Sequence, residues 1–409
     1  MIKREDGFTL LELMITMAAF VIVIASVSSI FLGLVNQFKQ QSKIAETSLE
    51  GLTGLEILRQ DIEHAGYGLP WNVTGIADAD GDGNLWDELP NYLEATGAAS
   101  AYNDAPQNAP RTVISGNDIG LNNSDYLVIK SVNVARNDNC KKWTNLRTIG
   151  TRTWVPDREN INRNDDGTTN NNVRVITLAP GSTDSDGQSL VSSAAVFSTT
   201  FAGVTAAPWQ PTDPNETRLV YGVDPSTNLR MPFNRADYFI SNANVPLRCA
   251  PGSGVLVKAV VSHDDGDFDS DEDGTDDFMP LLDCIADMQV IYRFDMDEDE
   301  SAGTNSNANG SSVNGSEGAT VATVQATLAD ASLLRRRLKD VRVYILAHEG
   351  QRDTNYTYCP SLAASCSTAF PVGEFGLESN FDLTGIANYQ NYRWKIYTIV
   401  VNPNNLRST

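Results

Sequence analysis

Residues that usually build catalytic centres are scarce in this chain. It has three histidines, His64, His263 and His348, each isolated in the sequence. The chain therefore offers few histidines from which a metal or catalytic cluster could form. The sequence contains no Gly-x-Ser-x-Gly elbow, His-Glu-x-x-His helix or phosphate-binding glycine loop, which mark common nucleophilic, zinc and nucleotide sites. The composition therefore does not predict an enzyme.

Positive charge is also in short supply. The 409 residues include 30 Lys and Arg against 52 Asp and Glu, which gives a net charge of −22. Such a surface repels phosphate backbones and anionic lipid headgroups. We therefore expect no nucleic-acid binding by the head of the protein and no docking on lipid through a basic patch.

One long apolar run lies near the N-terminus. Residues 13–35 contain no charge, and as a helix they would extend roughly 35 Å, enough to cross a bilayer core of about 30 Å. Lys3 and Arg4 precede the run, so the positive-inside rule predicts a cytoplasmic N-terminus with the rest of the chain outside. An ordinary secretory signal fits poorly, because its apolar region is only about 7–15 residues long.

Glu12 is unusual at the start of this run. It lies one turn inside the apolar helix, where a carboxylate is expensive in lipid and is normally kept only with a partner. The nearest cation on the same chain would be an α-amine, if the chain were cut after Gly7. A plain membrane anchor, the default for a single span, gives no reason for this charge.

The stretch from Lys3 to Glu12, Lys-Arg-Glu-Asp-Gly-Phe-Thr-Leu-Leu-Glu, resembles the processing site of type IV prepilins and of type II secretion pseudopilins. That resemblance implies cleavage after Gly7 by a membrane peptidase that also methylates the new N-terminal amine of Phe8. Glu12 would then pair with the Phe8 amine of a neighbouring subunit in a filament. Such pairing between subunits would turn the cost of the buried charge into a fixed register for assembly.

The helix is predicted to continue beyond the membrane. Gly66 and Pro70 supply a stop signal, so we expect one helix from about residue 9 to residue 65. Gly51 and Gly54 predict local bending in its second half. Apolar residues at steps of three and four indicate one buried face: Ala45, Leu49, Leu52, Leu55, Leu58, Ile62 and Ala65.

Beyond Pro70, short runs rich in Val, Ile and Tyr alternate with polar connections, which is typical of half-buried strands. Val341, Val343 and Ile345 are expected to share one face of a strand. Residues 328–338 predict a short helix whose basic end complements the helix dipole, and 301–318 predict a flexible loop. Strands are predicted at residues 126–134, 173–178, 219–223, 238–241, 255–262, 288–294, 341–348 and 394–402.

The segments 334–346 and 392–402 resemble the C-terminal part of PilW-type minor pilins, while residues 71–330 match no motif. The resemblance implies an α+β, type IV pilin-like fold, in which a long N-terminal α-helix carries an antiparallel β-sheet head with long insertions. The expected divisions are a leader (1–7), a membrane-spanning half-helix (8–35), an amphipathic half-helix packed on the head (36–66) and the acidic head (67–409).

The same resemblance implies a structural subunit that primes or initiates assembly of a type IV pilus near its tip. Its partners would be other minor and major pilins, the prepilin peptidase/methyltransferase and an inner-membrane assembly platform. Before assembly it would span the inner membrane once, with a periplasmic head, and afterwards belong to the cell-surface pilus. Two alternatives stay open: a J-type minor pseudopilin of type II secretion, and an adhesin or binding module anchored by a pilin stalk.

Three acidic runs suggest calcium sites, because alternating aspartates around a turn glycine supply the hard oxygen ligands that calcium needs. At the twelfth position of the first run Leu89 replaces the usual glutamate, so Asp87 or Glu88 would have to substitute. The third run, 295–300, lacks the glycine, and a solvated acidic loop is the alternative for each. The candidate ligands are Asp78, Asp80, Asp82, Asn84 and Asp87 in the first run and Asp269, Asp271, Asp273 and Asp277 in the second.

Five cysteines occur, and no two form a Cys-x-x-Cys pair, which argues against a zinc ribbon or a thioredoxin-like site. An exported head meets an oxidising compartment, where disulfides are the expected use of cysteine. Cys359 and Cys366, close together in a predicted loop, are the preferred pair. Cys249 with either Cys284 or Cys140 is the second candidate, and the odd number leaves one thiol over.

Overall fold

The computed structural model describes residues 9–164, 166–181, 188–194, 196–268, 278–358 and 368–406, apart from the side chains of residues 36, 46–48 and 50. This part of the chain contains three α-helices, α1 (Leu10–Glu63), α2 (Val321–Ala329) and α3 (Ala331–Arg337). It also contains eighteen strands: β1 (Asn72–Thr74), β2 (Val113–Gly116), β3 (Tyr126–Ser131), β4 (Trp143–Arg147), β5 (Gly150–Thr151), β6 (Arg174–Pro180), β7 (Gln188–Val191), β8 (Thr199–Thr200), β9 (Arg218–Asp224), β10 (Asn234–Ser241), β11 (Gly254–Val260), β12 (Met279–Phe294), β13 (Thr304–Asn307), β14 (Val313–Gly315), β15 (Leu338–Glu349), β16 (Ala369–Val372), β17 (Ser379–Asp382) and β18 (Arg393–Val401).

The N-terminal helix α1 is continuous over 54 residues, which makes it about 80 Å long at 1.5 Å per residue. Thr9 is its N-cap and His64 its C-cap. The chain then turns at Gly66, whose φ of 81° is a left-handed conformation that favours glycine. The prediction of one long helix ending before Gly66 is confirmed.

Nine strands form an antiparallel sheet that we call the helix-bearing sheet, with the order β14-β13-β12-β11-β10-β3-β2 and with β15 and β18 added beyond the free edge of β12. The long strand β12 bonds to β11 through its first half, to β13 through its last residues, and to β15 along the opposite edge. It starts at Met279, well before the predicted start at residue 288. The prediction missed this first half because Pro280, Asp283 and Asp287 interrupt its apolar pattern.

Seven further strands form a second sheet, with the order β1-β7-β6-β9-β4-β5 and with β8 paired to β6. The pair β1–β7 is parallel, whereas the other pairs of this sheet are antiparallel. The expected antiparallel sheet therefore corresponds to the helix-bearing sheet. The division of the head into two sheets with separate apolar cores was not predicted.

The segment 301–318, expected to be a flexible loop, contains the hairpin β13–β14, so this prediction was wrong. Its strands are polar, Thr-Asn-Ser-Asn and Val-Asn-Gly, and carry no apolar alternation. They form because β13 adds to the edge of β12 by backbone hydrogen bonds, which depend little on side-chain type. The helix predicted at 328–338 corresponds to α3, whereas α2 precedes it and was not predicted. Asp330 separates the two helices and caps α3 by accepting a hydrogen bond from the Leu333 amide.

The second half of α1 packs on β12, β15 and β18 of the helix-bearing sheet. Leu58 and Ile62 are completely buried there, opposite the buried face of β15 that contains the predicted trio Val341, Val343 and Ile345. The predicted apolar face of α1 is buried only in part, because Leu49 and Leu52 are 68% and 59% exposed and Ala45 is exposed as well. Leu52 directly follows Gly51, which already contacts β12, so the side chain of Leu52 is exposed because it faces away from the sheet.

Gly51 and Gly54 allow the helix to approach β12 closely. A β-carbon at Gly54 would lie 1.7 Å from the carbonyl oxygen of Leu281, and one at Gly51 would lie 2.6 Å from the Leu282 side chain. The helix runs through both glycines without interruption. The absence of a side chain at both positions therefore serves packing between helix and strand, and the local bending stays a prediction.

Polar contacts fix the same junction. The carboxylate of Asp61 on α1 accepts hydrogen bonds from Lys258 Nζ at 2.6 Å and from the Tyr238 hydroxyl at 2.5 Å. At the end of the helix, Glu63 accepts hydrogen bonds through its backbone and its side chain from Asn404. Because hydrogen bonds are directional, these contacts fix the rotation of α1 relative to the sheet more sharply than apolar packing alone.

Charged residues are also buried inside the head, where they pair with one another. Lys130 Nζ lies 2.7 Å from Glu94 and 2.6 Å from Asp104, and Arg235 pairs with Glu94 and with Asp237 at 2.7 Å. All five side chains are at most 1% exposed. The network connects the long segment between β1 and β2 to strands β3 and β10, and breaking it would leave an unpaired buried charge.

Substitution of Gly54 by alanine tests the close contact between α1 and β12. Alanine would favour the helix by about 1 kcal/mol from propensity alone, but its β-carbon would collide with the Leu281 backbone. We expect the collision to prevail and the variant to lose about 2–3 kcal/mol of unfolding free energy.

Gly385→Ala is the matched control, since no atom lies within 4 Å of the position that its β-carbon would occupy and its φ is not left-handed. Urea unfolding of the full chain in neutral detergent, followed by circular dichroism, compares the two variants. Equal stability of Gly54→Ala and the parent chain would contradict the packing role of this glycine.

Candidate functional site

The start of α1 forms a capping box. Thr9 Oγ1 accepts a hydrogen bond from the Glu12 amide at 3.3 Å, and Glu12 Oε2 accepts hydrogen bonds from the amide and hydroxyl of Thr9, both at 3.0 Å. Gly7 and Phe8 lie outside the described residues. A Thr-x-x-Glu pattern before an apolar run is a readable capping signal, so this role of Glu12 could have been predicted from the sequence.

The capping contacts leave the charge of Glu12 unneutralised. Thr9 supplies neutral donors only, and within residues 9–164, 166–181, 188–194, 196–268, 278–358 and 368–406 no cation pairs with the Glu12 carboxylate. Glu12 is also exposed in the first turn of α1, at the end of the helix that is remote from the head. A cation from another molecule can therefore reach it.

The first half of α1 presents apolar side chains to its surroundings on all sides. Those from Leu10 to Leu34 are between 49% and 77% exposed where they are large, including Phe20 and Phe31. Within the described residues, Leu10–Ala45 is the one helical stretch long and apolar enough to cross a membrane. An all-round apolar helix is not stable alone in water, so it must be covered by lipid or by other helices.

The first acidic run folds into a tight loop with its carboxylates turned toward each other. Asp78 accepts hydrogen bonds from the amides of Gly81 at 2.6 Å and Gly83 at 2.9 Å, and Glu88 accepts one from the Ala79 amide at 2.6 Å. The two amides lower the pKa of Asp78. The side-chain oxygens of Asp78, Asp80 and Glu88 lie within 4.8 Å of one another, and so do those of Asp80, Asp82 and Asp87.

Asp87 is held through one of its two carboxylate oxygens. Its Oδ2 accepts a hydrogen bond from Asn84 Nδ2 at 3.1 Å, whereas its buried Oδ1 has no hydrogen-bond partner among the described residues. Desolvation, reinforced by the charges of Asp82 and Asp80, raises the pKa of Asp87. Four of the five predicted residues thus converge, Asn84 orients Asp87, and Glu88 joins them. This donor set of hard oxygens fits calcium.

The other acidic runs differ from the first. Asp269, Asp271, Asp273 and Asp277 lie outside the described residues. In the third run, Asp295, Asp297 and Asp299 bring carboxylate oxygens within 4.8 Å of one another, but Asp295 pairs with Lys339 at 2.9 Å. Although desolvation raises the pKa of Asp295, the contact with Lys339 outweighs it and the net shift is downward. An internal cation therefore already neutralises part of this run.

Two of the five cysteines form a disulfide, Cys249–Cys284, across 35 residues of sequence. It joins the segment before β11 to β12 of the helix-bearing sheet. Cys140 is a free, buried thiol that donates to the Asn137 carbonyl, and burial raises its pKa to about 12. One of the two alternatives for Cys249 is thus confirmed, while the preferred pair Cys359–Cys366 lies outside the described residues.

The three histidines are structural in their surroundings. His64 Nδ1 contacts the Gln60 carbonyl at 2.8 Å at the end of α1. Burial lowers the pKa of His263 to about 4 and that of His348 to about 3, so both are neutral near pH 7. His348 lies against Tyr392 and Trp394.

Comparison with known proteins identifies one feature of the chain. Residues 2–28 match the prokaryotic N-terminal methylation motif, which includes Gly7, Phe8 and Glu12. No curated protein and no solved structure matches the chain. The motif and the exposed apolar helix together support a type IV pilin-like or pseudopilin-like protein that is anchored in a membrane by its N-terminal helix.

Proposed function

We propose that this chain is a minor pilin of the PilW type, a structural and not a catalytic subunit that primes or initiates assembly of a type IV pilus. The observation that carries the proposal is the coincidence of the methylation motif at residues 2–28 with a helix whose apolar half is exposed while its other half is packed on the head. A subunit that is inserted in a membrane and later packs into a helical filament core requires this arrangement.

Glu12 is the proposed assembly contact. After cleavage behind Gly7, the methylated amine of Phe8 in a neighbouring subunit would pair with the Glu12 carboxylate. The charge of Glu12 lacks a cation among the described residues and is held only by Thr9. In an apolar filament core this ion pair would be strong and would fix the axial position of one helix against the next.

The proposed partners follow from this scheme. They are the prepilin peptidase/methyltransferase, an inner-membrane assembly platform, and other minor and major pilins, and we propose no nucleic-acid partner for the head. The head would be periplasmic before assembly and exposed at the cell surface afterwards. A position near the tip is favoured because a head of two sheets with long connections is difficult to repeat in a densely packed shaft.

A minor pseudopilin of type II secretion has the same N-terminal architecture and is the main alternative. The two functions differ in the filament that the chain enters. Recovery of the native protein with sheared surface pili would support the pilus, whereas loss of protein secretion without loss of pili in a deletion strain would support the pseudopilin. The adhesin alternative requires a binding surface on the head.

We also propose that calcium binds the loop from Asp78 to Glu88. The support is the convergence of two overlapping carboxylate triads that share Asp80, together with the unpartnered Oδ1 of Asp87. Calcium would neutralise mutual repulsion in this loop and stabilise the segment that leads to the buried network around Glu94. Residues 269–277 are a further proposed site, on the sequence pattern alone.

The assembly contact is tested by Glu12→Gln in the native host. Glutamine can still accept the hydrogen bonds of Thr9 but carries no charge, so we expect unchanged membrane insertion and a fall of at least about tenfold in the fraction recovered with sheared filaments. Glu56→Gln is the control, because it removes one carboxylate from the exposed, head-bearing half of the same helix. Equal recovery of the Glu12 and Glu56 variants would contradict the proposed contact.

The calcium proposal predicts that saturating calcium raises the melting temperature of the full chain in neutral detergent relative to chelator. Asp80→Asn should reduce this increase, since Asp80 belongs to both triads, and Asp213→Asn, an exposed loop aspartate, should not. The effect should weaken in acid, because the carboxylates must be ionised to bind the metal. Identical melting curves with calcium and chelator would refute the proposal, and an undiminished increase in Asp80→Asn would exclude this loop.

A further inference from the structure

One edge of the second sheet carries a local positive charge although the head as a whole is acidic. Residues 141–163, which contain β4 and β5, include six cationic and two anionic residues in a chain whose net charge is −22. The cationic side chains do not all pair internally. Within the part of the chain that the structure describes, Arg163 pairs with Asp157 and Lys142 with Asp138, but Arg147 and Arg152 form no ion pair.

Two tryptophans lie at the same edge. Strand β4 buries Thr144 and Leu146 and exposes Trp143 and Arg147 on its other face. Trp154 packs against Trp143 with ring centroids 5.2 Å apart and an interplanar angle of 65°, and its indole N–H donates to the Trp143 carbonyl at 2.7 Å. Both rings are therefore fixed in orientation although they remain partly exposed.

Arg152 lies directly over the ring of Trp154. The guanidinium carbon of Arg152 lies 4.3 Å from the centroid of the Trp154 ring, close enough for a cation–π contact that also orients the guanidinium plane. Ile149 and Val155, in the adjoining turns, are 92% and 93% exposed. We call Trp143, Arg147, Ile149, Arg152, Trp154 and Val155 the Trp–Arg edge.

We propose that the Trp–Arg edge binds an acidic glycan in which carboxylate-bearing sugars alternate with neutral ones. Aromatic rings offer flat apolar surfaces to the C–H faces of pyranose rings, and a guanidinium without an internal partner can bind a carboxylate in bidentate fashion. Arg152 stacks on Trp154, and Arg147 shares the exposed face of β4 with Trp143. A glycan whose carboxylates are separated by neutral sugars can therefore pair with both guanidinium groups while its sugar faces contact the two rings.

The net negative charge of the head favours a sparsely charged glycan over a nucleic acid as the ligand of this edge. A nucleic acid carries a phosphate on each nucleotide, and its dense charge would be repelled by the acidic surface around the edge. A glycan with one carboxylate in two sugars has fewer charges to bring near that surface. The proposal concerns binding by the folded head and does not depend on entry into a filament.

The test is titration of the full chain, in neutral detergent at low ionic strength, with a hyaluronan decasaccharide, with a maltodextrin of equal length and with the oligonucleotide dT20. Calorimetry and tryptophan fluorescence measure binding. We expect hyaluronan to bind, to weaken as salt is added, and to bind at least tenfold more tightly than maltodextrin or dT20.

Variants locate the binding. Arg152→Gln and Trp143→Ala are each expected to weaken hyaluronan binding about tenfold or more, and the exposed Arg152 can be replaced without disturbing the core. The control is the double variant Phe375→Ala, Arg336→Gln, which removes one exposed ring and one exposed guanidinium elsewhere. Absence of hyaluronan binding, equal or tighter binding of maltodextrin or dT20, or equal weakening in the control would each overturn the proposal.

Discussion

The architecture depends on the close contact between α1 and β12. Gly51 and Gly54 bring the helix against the backbone of the longest strand in the helix-bearing sheet, and Asp61 fixes its rotation through Lys258 and Tyr238. The head is thereby attached to the second half of the helix only. The first half, with its apolar side chains and Glu12, remains exposed and must find its neighbours in lipid or in other subunits.

Two leucines in the second half of α1 are exposed as well. Leu49 and Leu52 are exposed apolar residues that follow the largely polar stretch 36–43 of α1. A monomer in water gains nothing from exposing them. In the proposed filament, the same residues would extend the helix–helix contacts toward the heads, while the acidic head surface would keep unassembled subunits apart.

Local features were predictable from the sequence, and long-range ones were not. The helix limits follow from apolar periodicity and from Gly66, and the eight predicted strands all occur, with shifted ends, because their Val, Ile and Tyr content is a local signal. The hairpin in 301–318 depends on the edge of β12, and the exposure of Leu49 depends on which face of α1 meets the sheet. The pairing of Cys249 with Cys284 depends on the neighbouring position of two distant segments. Such properties arise from tertiary contacts that periodicity and spacing do not contain.

The candidate sites show the same limit. The capping pattern at Thr9 and Glu12, the alternating aspartates from Asp78, and the methylation motif can each be read in a few consecutive residues. The Trp–Arg edge could not be found in this way, because its significance lies in the absence of internal carboxylate partners for Arg147 and Arg152 in the described structure.

The central claim is that α1 begins at a processed end and is covered by other subunits. N-terminal mass spectrometry of the native protein, recovered from sheared filaments, tests it most directly. The account predicts a chain that starts with N-methylated Phe8 and is present in the filament fraction. A native chain that retains Met1 and is absent from that fraction would contradict it.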